Sequence, residues 1–438
     1  MGDRAATSVG NELYHNLAVK RSVLPNGLTI LTEEIPYLRS VSLGVWVIKG
    51  SRHEPPALSG IFHCLEHMLF KGTERRDART IARLIDSIGG HVNAFTGKEN
   101  MCYYVRVLDE FVPTAVDLLS DLILRPTFLG DELERERKVI LEEIKMVEDT
   151  PDDLVHTMFT QHFWKGHPLA RPILGTRKTV SGIDSATLRS FFGDHITADN
   201  LLVSAAGHLE HGPMVDLLGE AFAGLKPKGV SLPKKPAPVA KPVTSFRKKR
   251  SLSQTYVCLG TPSPHRTHPD RYALSVLNGV LGMGMSSRLF QRIREELSLA
   301  YDVYSDLVAY SDAGYLVIYA GTNGESVPRL IDAVLQELRS MKHEPVSEEE
   351  LRRAKDQMKG SIMLGLESTF NRMSSLAGQE MDYGRQISLD EVLQSIEGVT
   401  AADVLRVAQE VFSAGPMALT MLGRSDEGLA IEPASLVC

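Results

Sequence analysis

The chain has 438 residues, 43% hydrophobic and 24% charged, with a formal charge of −7. That length exceeds the usual size of one core and predicts two domains. The mild negative charge argues against nucleic acid as the main partner, and no apolar run is long enough to span a membrane. The first residues, MGDRAATSVGNELYHN, lack the apolar region of a secretory signal, and the four cysteines are scattered without a CxxC pair. Both features predict a reducing, cytoplasmic setting.

After a leader (1–19), Ser22–Thr32 reads as a hairpin turning at Pro25-Asn26-Gly27. Val41–Ile48 alternates like a strand. Residues 59–73, SGIFHCLEHMLFKGT, follow Pro55-Pro56, a helix lead-in. At about 100° per residue, Leu58, Ile61, Phe62, Leu65 and Leu69 share one stripe, while His63 and His67 lie roughly opposite it. Two imidazoles at i, i+4 make half of a zinc site, and the Glu66 carboxylate beside them suits a base acting on a metal-activated water. The order His-x-x-Glu-His inverts the commoner His-Glu-x-x-His. The alternative is a helix whose solvent face merely carries His and Glu, so a third ligand decides.

Arg79–Ile88 is a second amphipathic helix stopped by Gly89-Gly90. His91–Thr96 and Met101–Leu108 pair as strands, Phe111–Ile123 is helical, and Asp131–Val147 is a long charged helix. On that helix Leu133, Ile140, Ile144 and Val147 form the apolar stripe. Glu136 and Glu143, one heptad apart, turn inward beside it, whereas Glu142 points away. Inward carboxylates want a cation, although a surface charge run accounts for Glu134, Lys138 and Glu142.

Phe163–Thr176 is a Pro/Gly-rich connection, Asp184–His195 a helix, Asn200–Gly207 a buried strand, and Pro213–Leu225 a helix opened by Pro213. Lys226–Pro242, rich in Pro and Lys, is a linker. The expected division is a catalytic domain (20–225), a linker (226–246), a second domain (247–425) and a tail (426–438). The second half repeats the order of the first: strand Thr255–Leu259, helices His268–Leu281 and Ser287–Glu296, strands Tyr301–Val308 and Ala313–Tyr319, then helices from Ser326 and Ser347. Ala354 falls opposite Glu136, Ser361 opposite Glu143, and Val276 to Val280 stand where the His pair is, so one half lacks the whole constellation. Gly279–Ser287 reads as a flexible loop, since it lacks the ending of a phosphate loop.

These residues resemble the pitrilysin/insulysin/mitochondrial processing peptidase family of inverted zinc metallopeptidases over about residues 20–425. The segments that carry the resemblance are HCLEH with MLFKGT, GGHVNAFT, ERERKVILEE, HPLARPILGT and SSRLFQRIREELSLAY. It implies an α+β fold of two similar domains, each an antiparallel-rich mixed sheet with helices on one face, together forming half of a clam-shell chamber. It implies one Zn2+ per chain held by His63, His67 and Glu143, with Glu66 as general base and Glu136 as a supporting carboxylate. Asn93, Ala94, Phe95 and Thr96 would be the edge to which a peptide adds as a strand. Arg294 and Tyr301 would reach substrate, Tyr301 stabilising the oxyanion. Two domains instead of four imply a homodimer, or a heterodimer with an inactive homologue. The implied activity is metalloendopeptidase cleavage of short or unfolded peptides; the alternatives are a non-catalytic partner subunit or a peptide-binding module. Two positions depart from the family pattern: Cys64 stands where an aromatic is usual, which suggests an oxidation-sensitive thiol, and Ala170 replaces a glycine.

Overall fold

The apolar residues of Val41–Val47 are buried on both faces of their strand, which requires a sheet covered on both sides. The computed structural model describes residues 19–228, 237–424 and 431–438. The leader before Val19 and linker residues 229–236 lie outside them. Two compact units result, and neither is continuous in sequence. The first holds the described residues up to Ile144, those from Pro172 into the linker, and Leu364–Leu389. The second holds Lys145–Arg171, the residues from the linker to Met363, and those from Asp390 on.

In the first unit β1 (Val19–Val23), β2 (Thr29–Glu34), β3 (Ser40–Val47), β4 (His91–Thr96), β5 (Met101–Leu108) and β6 (Leu201–Gly207) form one sheet. Its order is β1-β2-β6-β3-β5-β4, with only β2 and β6 parallel. One face packs on α1 (Ile61–Leu69), α2 (Ala78–Ser87), α3 (Val112–Leu124) and α4 (Gly130–Asp149), through Phe62, Leu65, Leu118 and Ile140 against Leu43, Val45 and Val105. In the second unit β7 (Thr244–Lys248), β8 (Thr255–Ser263), β9 (Ala300–Ala309), β10 (Gly314–Thr322) and β11 (Ala418–Gly423) run in the order β7-β11-β8-β10-β9, with only β7 and β11 parallel. The expected pair of α+β units, each with a mixed and mostly antiparallel sheet, is what forms.

Each sheet's remaining face is covered by a helix from the other half of the chain. Of the helices α5 (Pro151–Phe163), α6 (Arg177–Ser181), α7 (Ser185–His195) and α8 (His211–Ala221), α5 lays Val155, Met158 and Phe159 on Tyr315, Val317 and Tyr319 of the second sheet. The second half supplies α9 (Arg271–Gly282), α10 (Val327–His343), α11 (Glu348–Gly365), α12 (Thr369–Tyr383), α13 (Leu389–Glu397) and α14 (Ala401–Phe412). Among these, α12 packs Met373 and Ala377 on Trp46 and Leu202 of the first sheet. Arg372 there donates to the buried Glu33 at 2.6 Å, and Ser42 and Thr369 share a hydrogen bond of 2.8 Å. A division at the linker alone is therefore corrected, because Lys145–Arg171 and Leu364–Leu389 each bury their apolar face in the unit of the opposite half.

Other boundaries also move. Leu58 lies in a separate 3-10 turn ahead of α1, α8 begins at His211 so that Pro213 is its third residue, and β7 starts inside the expected linker. Among the described residues of the expected tail, Leu436 is fully buried and accepts a hydrogen bond from Met417 N. Gly279–Gly282 is helix, not loop. A methyl on Gly282 would stand 2.4 Å from Ser305 N, so glycine is needed for α9 to approach β9. Ser287–Glu296 contains a π-helical turn at Phe290–Glu296.

Candidate metal centre

The helix that carries the His pair is held at its first turn by groups outside it. Glu54, fully buried, accepts from Gly60 N at 2.9 Å and Phe62 N at 3.0 Å, so a carboxylate satisfies amides that the helix leaves open. Gly60 adopts φ +95, and a methyl there would stand 2.7 Å from Leu174 O. Facing it, Gly175 has φ +72, and its methyl would stand 2.2 Å from Ser59 O. This is what the HPLARPILGT segment does: its glycine lets the backbone close against the start of α1.

From α1, His63 and His67 meet Glu143 of α4. Glu143 Oε2 lies 3.5 Å from His63 Nε2 and 3.5 Å from His67 Nε2. Two ligands each about 2.1 Å from a zinc ion at a tetrahedral angle stand roughly 3.4 Å apart, so this spacing suits a shared cation. The Glu143 Oε2 atom is buried and has no hydrogen-bond partner among the described residues. His63, only 8% exposed, is held down to about 3 by burial and then by His67, which keeps its imidazole neutral as a ligand requires. His67 turns its other nitrogen, Nδ1, to Glu136 Oε2 at 3.0 Å, and Lys71 holds Glu136 Oε1 at 2.8 Å. Glu136 is 6% exposed, whereas Glu142 is exposed to solvent. Glu66, Glu136 and Glu143 against the single Lys71 ammonium leave two negative charges when ionised, the complement of a divalent ion. The residues present therefore fit zinc.

Glu66 lies between the two histidines in sequence, and burial raises its carboxyl above the usual range while the Thr96 hydroxyl and His67 oppose that rise. Thr96 Oγ1 donates to Glu66 Oε2 at 2.5 Å. Thr96 ends β4, which is an edge of the sheet and includes Asn93, Ala94 and Phe95. The following turn is clamped: Ser51 N donates to Gly97 O at 3.1 Å, Arg52 N to Lys98 O at 2.9 Å, and Arg52 Nη1 to Glu99 Oε1 at 2.5 Å. Cys64, by contrast, is buried and its thiol pushed up to about 12 by that burial, so it is not a reactive thiolate.

Arg294 and Tyr301 lie in the second unit. The Arg294 guanidinium stacks 4.7 Å from the Phe290 ring and 4.5 Å from the Tyr301 ring, with Tyr301 76% exposed. In the second unit a methyl on Gly279 would meet the Ala354 Cβ at 3.2 Å, so apolar packing fills the helix pair where the first unit has its carboxylates. Sequence reasoning missed Glu54, Lys71 and the side chain of Thr96. Lys71 falls one helical turn after His67, and Thr96 shares the face of Ala94 by strand alternation, so both carried a signal. Glu54 had none, since six residues separate it from Gly60.

The insulinase (peptidase family M16) model matches residues 29–177, and the peptidase M16 inactive-domain model matches residues 182–358. The chain belongs to the insulinase family, peptidase family M16. Among its relatives, the Bacillus subtilis protein named uncharacterized zinc protease YmxG is 41% identical over 398 residues, covering 90% of this chain and 96% of that protein. A Streptomyces coelicolor uncharacterized zinc protease is 39% identical over 411 residues, 92% and 89% of the two chains. In fold the chain is similar to a protease from Helicobacter pylori (TM-score 0.86, 22% identity, 93% of this chain and 99% of that one). It is also similar to a peptidase M16 inactive domain from Pseudomonas fluorescens (TM-score 0.85, 23% identity, 93% and 98%). Among the described residues no helix is long and apolar enough to cross a membrane.

Proposed function

We propose that the chain is a zinc metalloendopeptidase that cuts short or unfolded peptides. The observation that carries this is the buried, unpartnered Glu143 Oε2 set 3.5 Å from both imidazole nitrogens, with the Glu66 carboxylate beside them. When bound, zinc supplies Lewis-acid polarisation of the scissile carbonyl and lowers the pKa of a coordinated water. His63, His67 and Glu143 hold the ion, and Glu136 orients His67 through Nδ1. Glu66 takes the proton of the attacking water and hands it to the leaving amine. The edge of β4 binds the peptide main chain by strand addition, which tolerates many sequences and demands an extended substrate.

In the same reading Tyr301 donates to the developing oxyanion and Arg294 grips the peptide, either within one chain or from a second copy or inactive homologue in a dimer. The cation–π stack that fixes Arg294 between Phe290 and Tyr301 supports a preorganised role. Four free thiols support a reducing, cytoplasmic setting. The test is mass spectrometry of fragments from a random peptide mixture incubated with the zinc-loaded protein, with and without a chelator. Internal cleavage that the chelator abolishes is expected. Intact peptides in both arms, or retention without cutting, would leave a partner subunit or a peptide-binding module.

A further inference from the structure

Thr96 belongs to two parts of the site at once. Its main chain closes β4, the strand at the edge of the first sheet. Its Oγ1 gives the Glu66 carboxylate the one hydrogen bond that carboxylate receives among the described residues, at 2.5 Å. Strand alternation sets this up: Ala94 and Thr96 face α1, with Ala94 in the same core as Leu65, while Phe95 turns to Trp46 and Tyr104 on the opposite face. The turn after Thr96 is tied to Ser51 and Arg52 by two backbone bonds and the part-buried Arg52–Glu99 pair, so the hydroxyl is carried on a fixed support. Bonds from a hydroxyl to an ionised carboxylate are short and roughly twice as strong as neutral ones. The buried Tyr103 hydroxyl is turned to Met101 Sδ, at 3.6 Å. Without Thr96, the rotatable Glu66 side chain has no described polar group to set its angle.

We infer that Thr96 is a positioning residue for peptide hydrolysis. Its hydroxyl fixes the Glu66 carboxylate where it receives the proton, and its place on the edge strand links peptide pairing along β4 to the aim of the base. This rests on the proteolytic reading above. A misplacement of about 1 Å in a reacting group costs on the order of 100-fold in rate, so the effect belongs in kcat, not in KM.

The experiment compares wild type, Thr96→Val and Thr96→Ser, each zinc-loaded, on one fluorogenic peptide, with zinc content measured for every sample. Thr96→Val, which keeps the branched strand-forming shape, is expected to lose roughly 10- to 100-fold in kcat with KM and zinc content unchanged. Thr96→Ser, which keeps the hydroxyl, restores kcat to near wild type. Crystals of zinc-free Thr96→Val are expected to show the Glu66 carboxylate displaced by about 1 Å or spread over rotamers. Three results would each overturn the role: wild-type kcat in Thr96→Val, equal loss in Thr96→Ser, or an unmoved Glu66. If wild type with its full zinc leaves every peptide intact, the proteolytic reading itself fails, and the proposal with it. That outcome is separate from wild-type turnover with an indifferent Thr96.

Discussion

His67 Nδ1 stands 3.0 Å from Glu136 Oε2, and this one contact decides which imidazole nitrogen faces Glu143. Glu136 is itself held by Lys71 at 2.8 Å, so a chain of three side chains, from α1, α4 and the turn after α1, orients one candidate ligand. His63 has no such partner on Nδ1 among the described residues and is set by packing alone. Removing the carboxylate in Glu136→Ala should weaken zinc binding roughly 10- to 100-fold. Competition with a chelating indicator checks this, and affinity equal to wild type would show that burial suffices to orient His67.

Glu66→Gln keeps the size of the base and removes its proton affinity. Zinc per chain should stay at the wild-type value while peptide cleavage falls roughly 100- to 10,000-fold. Zinc analysis and initial rates on the same sample give both numbers, and full activity in this variant would reassign the base.

Gly175→Ala tests why the α1 amino terminus sits where it does. At φ +72 with Ser59 O only 2.2 Å from the added methyl, the substitution forces the loop off the helix and should cost roughly 2–4 kcal/mol. Gly166 also has positive φ, +90, but open space around it, so Gly166→Ala should cost only about 1–2 kcal/mol. Urea unfolding of the pair separates strain from collision, and equal losses would remove the close approach as the cause.

The His53 imidazole is pushed down to about 4, by burial first and then by the Arg52 charge. In the unfolded chain it takes up a proton near 6.5, so the unfolded state binds more protons between those two values. Its contribution is complete above about 6.5 and is lost as pH falls toward about 4, on the order of 3 kcal/mol at most. Unfolding midpoints of the zinc-free protein should fall over that window, and less steeply in His53→Gln. Equal slopes in the two proteins would rule His53 out.

The candidate ligands were legible because helical geometry is short-range. His63 and His67 are one turn apart, and Glu136 and Glu143 fall inward on the same wheel as Ile140 and Ile144. The exchange of α5 and α12 was not legible, because the partners of Phe159 and Met373 lie in the other half of the sequence and periodicity says nothing about which sheet a helix covers. The Gly279–Gly282 stretch misled because its glycines serve close approaches, Gly279 to Ala354 and Gly282 to Ser305, and not flexibility. Glu54 stayed hidden for a related reason: its carboxylate caps a helix that begins seven residues later, beyond any capping spacing.

The measurement that bears most directly on the account is anomalous scattering at the zinc edge from crystals of the protein grown with zinc. A single strong peak bonded to His63 Nε2, His67 Nε2 and Glu143, absent in Glu143→Ala crystals, is the predicted result. Density with no anomalous peak among those three side chains, or a zinc held elsewhere in the first unit, would contradict it.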